Sequence, residues 1–193
     1  MIETLKYSHI NAVTQLHVSS LTGLLHDLGA GATRAFYHGA VDSSSAVGYV
    51  DVQEKGLAGF VLGCSNPRRL RREILMNSFF RTLIGTCTGV MRKPSTLRSL
   101  LSSFLPGKED YDSQAAELIY LAVDLGDRSS GVGKQLVEHF SQKLSESGVT
   151  AYELSVDADN RNAIRFYDRL GFVEISRYQE FGIDHKRYRM ELA

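Results

Sequence analysis

The hydrophobic positions of the N-terminal third follow a helical spacing and then a strand-like one. After a short strand-like stretch at residues 3–7, apolar residues recur at helical spacing from Ile10 to Leu28, which predicts one helix ending at Gly29. Two β-rich runs, 46–53 and 57–64, flank a turn whose glycine can adopt positive φ. This pattern predicts a β-hairpin.

From residue 115 onward, apolar runs alternate with amphipathic stretches. Strand-like residues 118–123 precede a helical pattern at 134–148, and a second strand-like run at 151–156 precedes a helical pattern at 160–170. The last part, 172–192, contains two strand-like runs around a turn glycine. Strands that alternate with helices predict parallel pairing in the centre, and hairpins predict antiparallel pairing at both ends. Together they indicate a mixed α/β sheet.

The segment between these halves has a different composition. Residues 66–104 contain eight basic residues and one acidic residue, a local charge of +7 in a chain whose formal net charge is zero. Apolar residues at helical spacing on both sides of Pro94 predict two helices within residues 66–110. Its arginines could pair with the acidic remainder of the fold, line the mouth of a site for an anionic acceptor, or place an amphipathic helix (66–104) on an anionic membrane surface.

Composition and charge exclude several classes of protein. A chain of 193 residues, 43% of them hydrophobic, fits one domain, and its 22 basic and 22 acidic residues give no argument for binding nucleic acid. The six histidines lack metal-ligand spacing, and Cys64 and Cys87 form no CxxC pair, so we expect no metal and two buried thiols. Because no export signal or membrane-spanning run is evident, we expect a cytoplasmic protein without a transmembrane segment.

A glycine-containing loop lies between the strand at 118–123 and the next helix. Glycine at 131 and 133 lets an anion approach the backbone, and the first N–H groups and the dipole of the helix point to the same place. A P-loop would need a glycine at position 128 and Ser or Thr after Lys134, and a dinucleotide fingerprint would need a third glycine at position 136. Neither pattern is present, so the loop indicates a different diphosphate ligand.

A second motif follows the next strand. Residues 160–172 read Asn-Arg-Asn-Ala-Ile-Arg-Phe-Tyr-Asp-Arg-Leu-Gly-Phe. This segment and the Arg-x-x-Gly-x-Gly loop, in this order and spacing, resemble the GCN5-related N-acetyltransferase (GNAT) superfamily over roughly residue 115 to the C-terminus. The resemblance implies one domain over residues 1–193. Its mixed, mostly antiparallel central sheet would be flanked by helices, with a parallel central pair splayed at the cofactor site, and the basic helices at 66–110 would be an insertion.

The same resemblance implies acetyl-CoA as cosubstrate and assigns residues to it. The pantetheine arm would lie along the end of the strand at 121–123, and backbone N–H groups of the loop would hold the diphosphate. The residues assigned to the cofactor are Leu121, Ala122, Val123, Arg128, Ser129, Ser130, Gly131, Val132, Gly133, Lys134, Asn160, Ala163 and Tyr167.

The chemistry of amine acetylation suggests a base and an acid. A lysine-like amine, with a pKa of about 10.4, is only about one part in a thousand neutral at pH 7, so a base helps. Glu117, on an otherwise apolar strand, matches the catalytic glutamate of histone-acetylating members, although it could equally be a solvated residue at a strand start; Glu153 and Asp157 are alternatives. Tyr167 matches the tyrosine that protonates the leaving thiolate, while Phe166 is expected in the core.

These residues favour an enzyme that moves an acetyl group from acetyl-CoA directly to a primary amine of a small molecule through a ternary complex. An amino-sugar nucleotide would suit the basic insertion. Direct transfer is favoured because neither cysteine has a histidine at a recognisable spacing. The alternatives are a non-catalytic acyl-CoA sensor or docking module, an enzyme acting on a protein N-terminus or lysine, and a hydroxyl acceptor. The oligomeric state, monomer or homodimer, stays open.

Overall fold

The computed structural model describes residues 1–74, 76, 115–127, 130–180 and 182–192. Outside these ranges lie most of the predicted insertion, with Cys87 and Pro94, and two residues of the predicted cofactor loop, Arg128 and Ser129. Structural statements below concern the described residues.

A seven-stranded sheet forms the centre of the described fold. Its order is β1-β2-β3-β4-β5-β7-β6, and every neighbouring pair is antiparallel except β4 and β5, which are parallel. The predicted mixed, mostly antiparallel sheet is therefore confirmed. The strands are β1 (Ile2–Thr4), β2 (Ala46–Gln53), β3 (Gly56–Cys64), β4 (Ala116–Val123), β5 (Ala151–Asp157), β6 (Val173–Glu180) and β7 (Ile183–Glu191).

The helices differ from the prediction at the N-terminus. The single helix expected up to Gly29 is wrong: α1 (Ile10–Ser20) and α2 (Leu24–Leu28) are separate, and α3 (Ala30–Val41) was not predicted. Gly23 and Gly29 have φ of 110° and 85°, a conformation that interrupts a helix and favours glycine. The strand expected at residues 3–7 ends at Thr4, because a 3₁₀ turn occupies residues 7–9.

The later helices lie close to their predicted positions. Residues 67–74 are helical (α4), and α5 (Val132–Glu146) and α6 (Arg161–Arg169) follow the two motifs. In α4, Glu73 accepts from Arg69 Nε at 2.8 Å and from Ser43 Oγ at 2.5 Å, which fixes the helix to the loop before β2. Arg69 thus pairs within the basic segment itself rather than with the acidic remainder.

Each face of the sheet has its own core. On one face α5 and α6 cover a cluster that includes Leu136, Phe140 and Tyr167, and on the other α1 and α3 cover a cluster around Tyr37 and Phe60. Gly63 on β3 permits the close packing of α5, since a Cβ at that position would lie 2.5 Å from Cζ of Phe140.

The two central strands separate soon after they meet. Parallel pairing joins Ala116 to Tyr152 and Glu117 to Glu153, and no further β4–β5 pair occurs within the described strands. Just beyond, the pairing of β4 with β3 shifts by one residue, leaving Ile119 as the extra residue of a β-bulge. A bulge of this kind bends its strand, and beyond Glu117 the backbone edge of β4 that faces β5 has no strand partner among the described residues. The predicted splay of the parallel pair is confirmed.

Candidate functional site

The start of α5 has the geometry of an anion-binding site. Gly131 is its N-cap, with φ 91° and ψ −6° in the left-handed region. The first backbone bond of the helix is from Gln135 N to Gly131 O at 3.0 Å. Because the first-turn N–H groups of a helix have no intrahelical acceptor, those of residues 132–134 point out of the helix start together with the positive end of its dipole. This arrangement suits a diphosphate.

Other predicted loop residues have local contacts. Ser130 directs both its hydroxyl and its backbone N–H to the carbonyl of Asp127, at 2.5 and 3.3 Å, so these donors close the turn before the helix. Lys134 is exposed and lies 3.7 Å from Glu138, one turn along α5. An exposed pair of this kind is weak, so the ammonium can turn to an incoming phosphate at little cost.

Three elements that are predicted to bind the cofactor meet at Gly133. A Cβ built there would lie 3.3 Å from Cζ of Phe166 and 3.4 Å from Cγ2 of Val123. The start of α5, the end of β4 and one face of α6 therefore meet at this residue. A larger residue at 133 would push these elements apart.

Asn160 is the N-cap of α6. Its side-chain oxygen accepts a hydrogen bond from Ala163 N at 3.1 Å, which stabilises the start of that helix. The exposed amide group keeps its N–H donors for another partner. The predicted cofactor contact of Asn160 would therefore have to come from the amide nitrogen.

Tyr167 lies in an aromatic cluster beneath the sheet. Its side chain is buried, and its ring makes edge contacts with Phe166 and Phe172 at centroid distances of 5.1 and 5.2 Å. Burial raises the pKa of the phenol well above its ordinary value. The hydroxyl stays protonated at neutral pH and can act as a proton donor. Phe166 packs partly buried against the same cluster.

Glu117 is placed at the point where β4 and β5 separate. It belongs to the last parallel pair, and its side chain is 26% exposed. Burial raises its pKa above the ordinary value, although Arg187 Nη1, 3.7 Å from Oε1, opposes that rise. Glu117 is the second residue of β4 and therefore lies near the strand start, but its partial burial and raised pKa differ from those of a solvated carboxylate.

A buried ionic network beside Glu117 was missed by the sequence reasoning. Glu153 accepts from Arg187 Nε at 2.5 Å and is contacted by Arg189 Nη1 at 3.3 Å. Glu153, one of the two alternative acid or base residues, therefore has both oxygens held by arginines. The other alternative, Asp157, lies 3.1 Å from His185 Nδ1. The charged residues at every second position of β7 were the available signal, because such residues share one face of a strand.

Two further observations bear on the kind of site. Among the described residues, no group of three or more His, Cys, Asp or Glu side chains could hold a metal ion. In the same part of the chain, no helix has the length and apolar character needed to cross a membrane.

The comparisons with known proteins decide the family. The model of the Acetyltransferase (GNAT) family matches residues 26–172. The chain belongs to this family. This membership fits the expected enzyme class, an acetyl-CoA-dependent acetyltransferase. The open N-terminus of α5 and the edge of β4 that has no strand partner among the described residues are the features that suit this cosubstrate.

Curated relatives match the chain over short stretches. The [ribosomal protein bS18]-alanine N-acetyltransferase of Escherichia coli K12 is 41% identical over 59 residues, 31% of this chain and 40% of that protein. The mycothiol acetyltransferase of Beutenbergia cavernae is 31% identical over 72 residues, 37% of this chain and 24% of that protein. The chain thus spans less than half of the length of either relative.

Solved structures share the fold over the whole chain. Ard1 from Thermoplasma volcanium superposes with a TM-score of 0.66 at 19% identity, covering 100% of this chain and 97% of that one. The E. coli ribosomal-protein-S18-alanine N-acetyltransferase gives 0.64 at 16% identity, covering 100% and 94%. A Salmonella typhimurium protein, yncA, solved with acetyl-CoA as its cofactor, gives 0.63 at 12% identity, also covering 100% and 94%.

Proposed function

We propose that this acetyltransferase transfers the acetyl group directly to a primary amine, with Glu117 as general base and Tyr167 as general acid. The observation that carries the proposal is the place of Glu117, a partly buried carboxyl of raised pKa on the last parallel pair before β4 and β5 separate. A base whose pKa is shifted upward toward the working pH is better suited to removing a proton from an ammonium group.

The separated strands provide the place for the cosubstrate. The diphosphate would bind to the N–H groups of residues 131–134, and the pantetheine arm would pair with the free edge of β4 at residues 121–123. An arm lying there leads from the start of α5 toward the point of separation. The thioester would then lie close to Glu117.

The two proposed catalytic groups flank this gap from opposite faces of the sheet. Tyr167 belongs to the same cluster as Tyr152 and Leu154 on β5, whereas Glu153, between them in sequence, points to the other face with Arg187 and Glu117. The amine would approach from the Glu117 side. The cosubstrate sulfur would lie toward Tyr167.

The proposed reaction is balanced with these two groups. Glu117 takes one proton from the ammonium form of the acceptor, directly or through a water. The amine nitrogen then attacks the thioester carbon and the N–C bond forms. The C–S bond breaks, and Tyr167 gives a proton to the leaving sulfur. The nitrogen loses its second proton, which returns through water to the Tyr167 oxygen, and Glu117 releases its proton to solvent, so the products are the amide, the free thiol and one proton. A covalent acyl-enzyme is not needed. In the described part of the chain the free cysteine is Cys64, whose pKa burial raises to about 12, so it is a poor nucleophile at neutral pH.

Two classes of acceptor follow from different observations. The basic charge of residues 66–104 favours a small amine that carries an anion, such as an amino-sugar nucleotide. The alanine N-acetyltransferase among the relatives favours a protein N-terminus. The first class is our proposal, and the second is the alternative.

An acceptor screen tests both. Free thiol released from acetyl-CoA is measured with amino-sugar nucleotides, polyamines, amino acids, lysine peptides and peptides with an N-terminal alanine, and the same peptides with acetylated N-termini serve as controls. Turnover of an amino-sugar nucleotide supports the proposal, and turnover of only the free alanine peptides supports the alternative. Binding of acetyl-CoA without turnover of any amine contradicts both.

A further inference from the structure

Arg187 is a buried arginine that faces two carboxylates. Its side chain is 10% exposed and comes from β7, across β5, toward β4. Its Nε donates to Glu153 at 2.5 Å and its Nη1 donates to Ser155 Oγ at 3.3 Å. The same Nη1 lies 3.7 Å from Oε1 of Glu117, a distance beyond a hydrogen bond but close enough for strong attraction.

Glu153 fixes the guanidinium in place. This carboxylate is buried, and its second oxygen is contacted by Arg189 Nη1 at 3.3 Å. A carboxylate held by two arginines is a rigid anchor, because moving either partner would leave a buried charge without compensation. Arg187 therefore has a fixed position from which its charge acts on Glu117.

We propose that Arg187 is a positioning residue for the reaction, which keeps the Glu117 carboxylate ionised and oriented without a close hydrogen bond to it. A direct hydrogen bond would occupy one lone pair of the Glu117 oxygen and lower the proton affinity of the carboxylate. The 3.7 Å separation provides the attraction and leaves that lone pair available. This inference rests on the proposed role of Glu117 as the base.

The other charges around Glu117 do not replace Arg187. Burial raises the pKa of Glu117, Arg187 is the strongest influence that lowers it, and Arg71 on α4 is the next; Glu153 on β5 and Glu180 on β6 raise it. Two neighbouring groups carry no charge at the pH of catalysis, because burial raises the pKa of each. They are Cys64 on β3, the register partner of Glu117, and Tyr120 on β4. Without Arg187, burial, Glu153 and Glu180 would raise the pKa of Glu117, and of the groups named here Arg71 alone would lower it.

The test compares two arginines that share Glu153. Arg187→Gln removes a partner of Glu153 together with the charge beside Glu117, whereas Arg189→Gln removes a partner of Glu153 and of the exposed Glu191 but leaves the charge beside Glu117. The acid-side midpoint of kcat/KM against pH is measured for each, with the best amine from the acceptor screen. We expect Arg187→Gln to raise this midpoint by about 1 to 3 pH units and Arg189→Gln to leave it unchanged. Arg187→Lys keeps a positive charge beside Glu117, so its midpoint should lie close to that of the wild type. Equal midpoints for Arg187→Gln and the wild type would overturn the proposal.

A second variant keeps the proposal testable if Arg187→Gln does not fold, and a second measurement keeps it testable if the acceptor screen finds no amine. The double variant Glu153→Gln/Arg187→Gln removes the carboxylate that a lone Arg187 substitution leaves buried. Because Glu153 itself raises the pKa of Glu117, the midpoint of the double variant should lie above that of Glu153→Gln alone. The titration of the Glu117 carboxyl can also be followed by ¹³C NMR in protein labelled at glutamate, with Glu117→Gln assigning the signal. A Glu117 signal that titrates at the same pH in Glu153→Gln and in the double variant would refute the role of Arg187. Full activity of Glu117→Gln would instead refute the proposed base.

Discussion

Gly131→Ala separates the binding role of the loop from its structural role. The glycine has φ 91°, and among the described residues no atom beyond its chain neighbours lies within 4 Å of a Cβ placed there. The cost of alanine is therefore conformational rather than steric. A non-glycine residue in the left-handed region costs about 1–2 kcal/mol. For a chain of this size, that lowers Tm by about 2–8 °C.

The other end of the same helix offers a matched control. Gly148 follows α5 with φ 80°, and a Cβ there also meets no atom within 4 Å in the described part of the chain. Gly148→Ala should therefore cost a similar free energy of unfolding. It lies at the opposite end from the proposed diphosphate site, so it should leave coenzyme A affinity unchanged.

The two variants should differ in ligand binding. Alanine at 131 relieves its strain by turning the adjoining peptide planes, which misdirects at least one N–H group of the first turn. A hydrogen bond to a charged group is worth about 1.5–3 kcal/mol, so the Kd for coenzyme A should rise about 10- to 150-fold. Calorimetric titration with coenzyme A gives the Kd of each variant, and thermal unfolding gives its Tm. Equal Kd values for Gly131→Ala and Gly148→Ala, with equal losses of Tm, would refute the reasoning.

Three further predictions follow from the site and the core. Glu117→Gln should lower kcat/KM by about 10²- to 10⁴-fold. The same variant should not lower Tm at pH 7.5. The raised pKa of Glu117 means that folding disfavours its charged form, so removing that charge costs no stability at a pH above the pKa. A Tm lower by several degrees would contradict this sign. Tyr167→Phe should lower kcat about a hundredfold or more and leave the Kd for coenzyme A unchanged, and an unchanged kcat would exclude Tyr167 as the acid. Gly63→Ala should reduce the free energy of unfolding by about 1–3 kcal/mol, since its Cβ would meet Phe140 and the carbonyl of Glu117. Denaturant unfolding measures this cost, and wild-type stability would show that the packing of α5 on β3 is not as close as described.

The sequence predicted the parts of the fold whose signal is local. The hairpin of β2 and β3, the strand β5 and the helices α5 and α6 lie within a few residues of their expected ends, because their apolar positions alternate or recur clearly. The motif residues Gly131 and Asn160 are also helix starts in the structure. Local pattern and cofactor motif coincide at these residues.

Other features depend on residues with weak or non-local signals. The helix α3 was missed because its buried positions are mainly small residues, Ala32, Thr33, Ala35, Gly39 and Ala40, which contribute little to a hydrophobic pattern. The pairing of Arg187 with Glu153 depends on β7 lying beside β5, which sequence order does not indicate. Residues 34 positions apart had to be brought together by the sheet before the network could be recognised.

A crystal structure of the protein with acetyl-CoA would show directly where the cosubstrate binds. We expect the diphosphate within hydrogen-bonding distance of the N–H groups of residues 131–134, with the pantetheine arm along β4 at 121–123 and the thioester near Glu117. A cosubstrate bound elsewhere, with these N–H groups left to solvent, would contradict it.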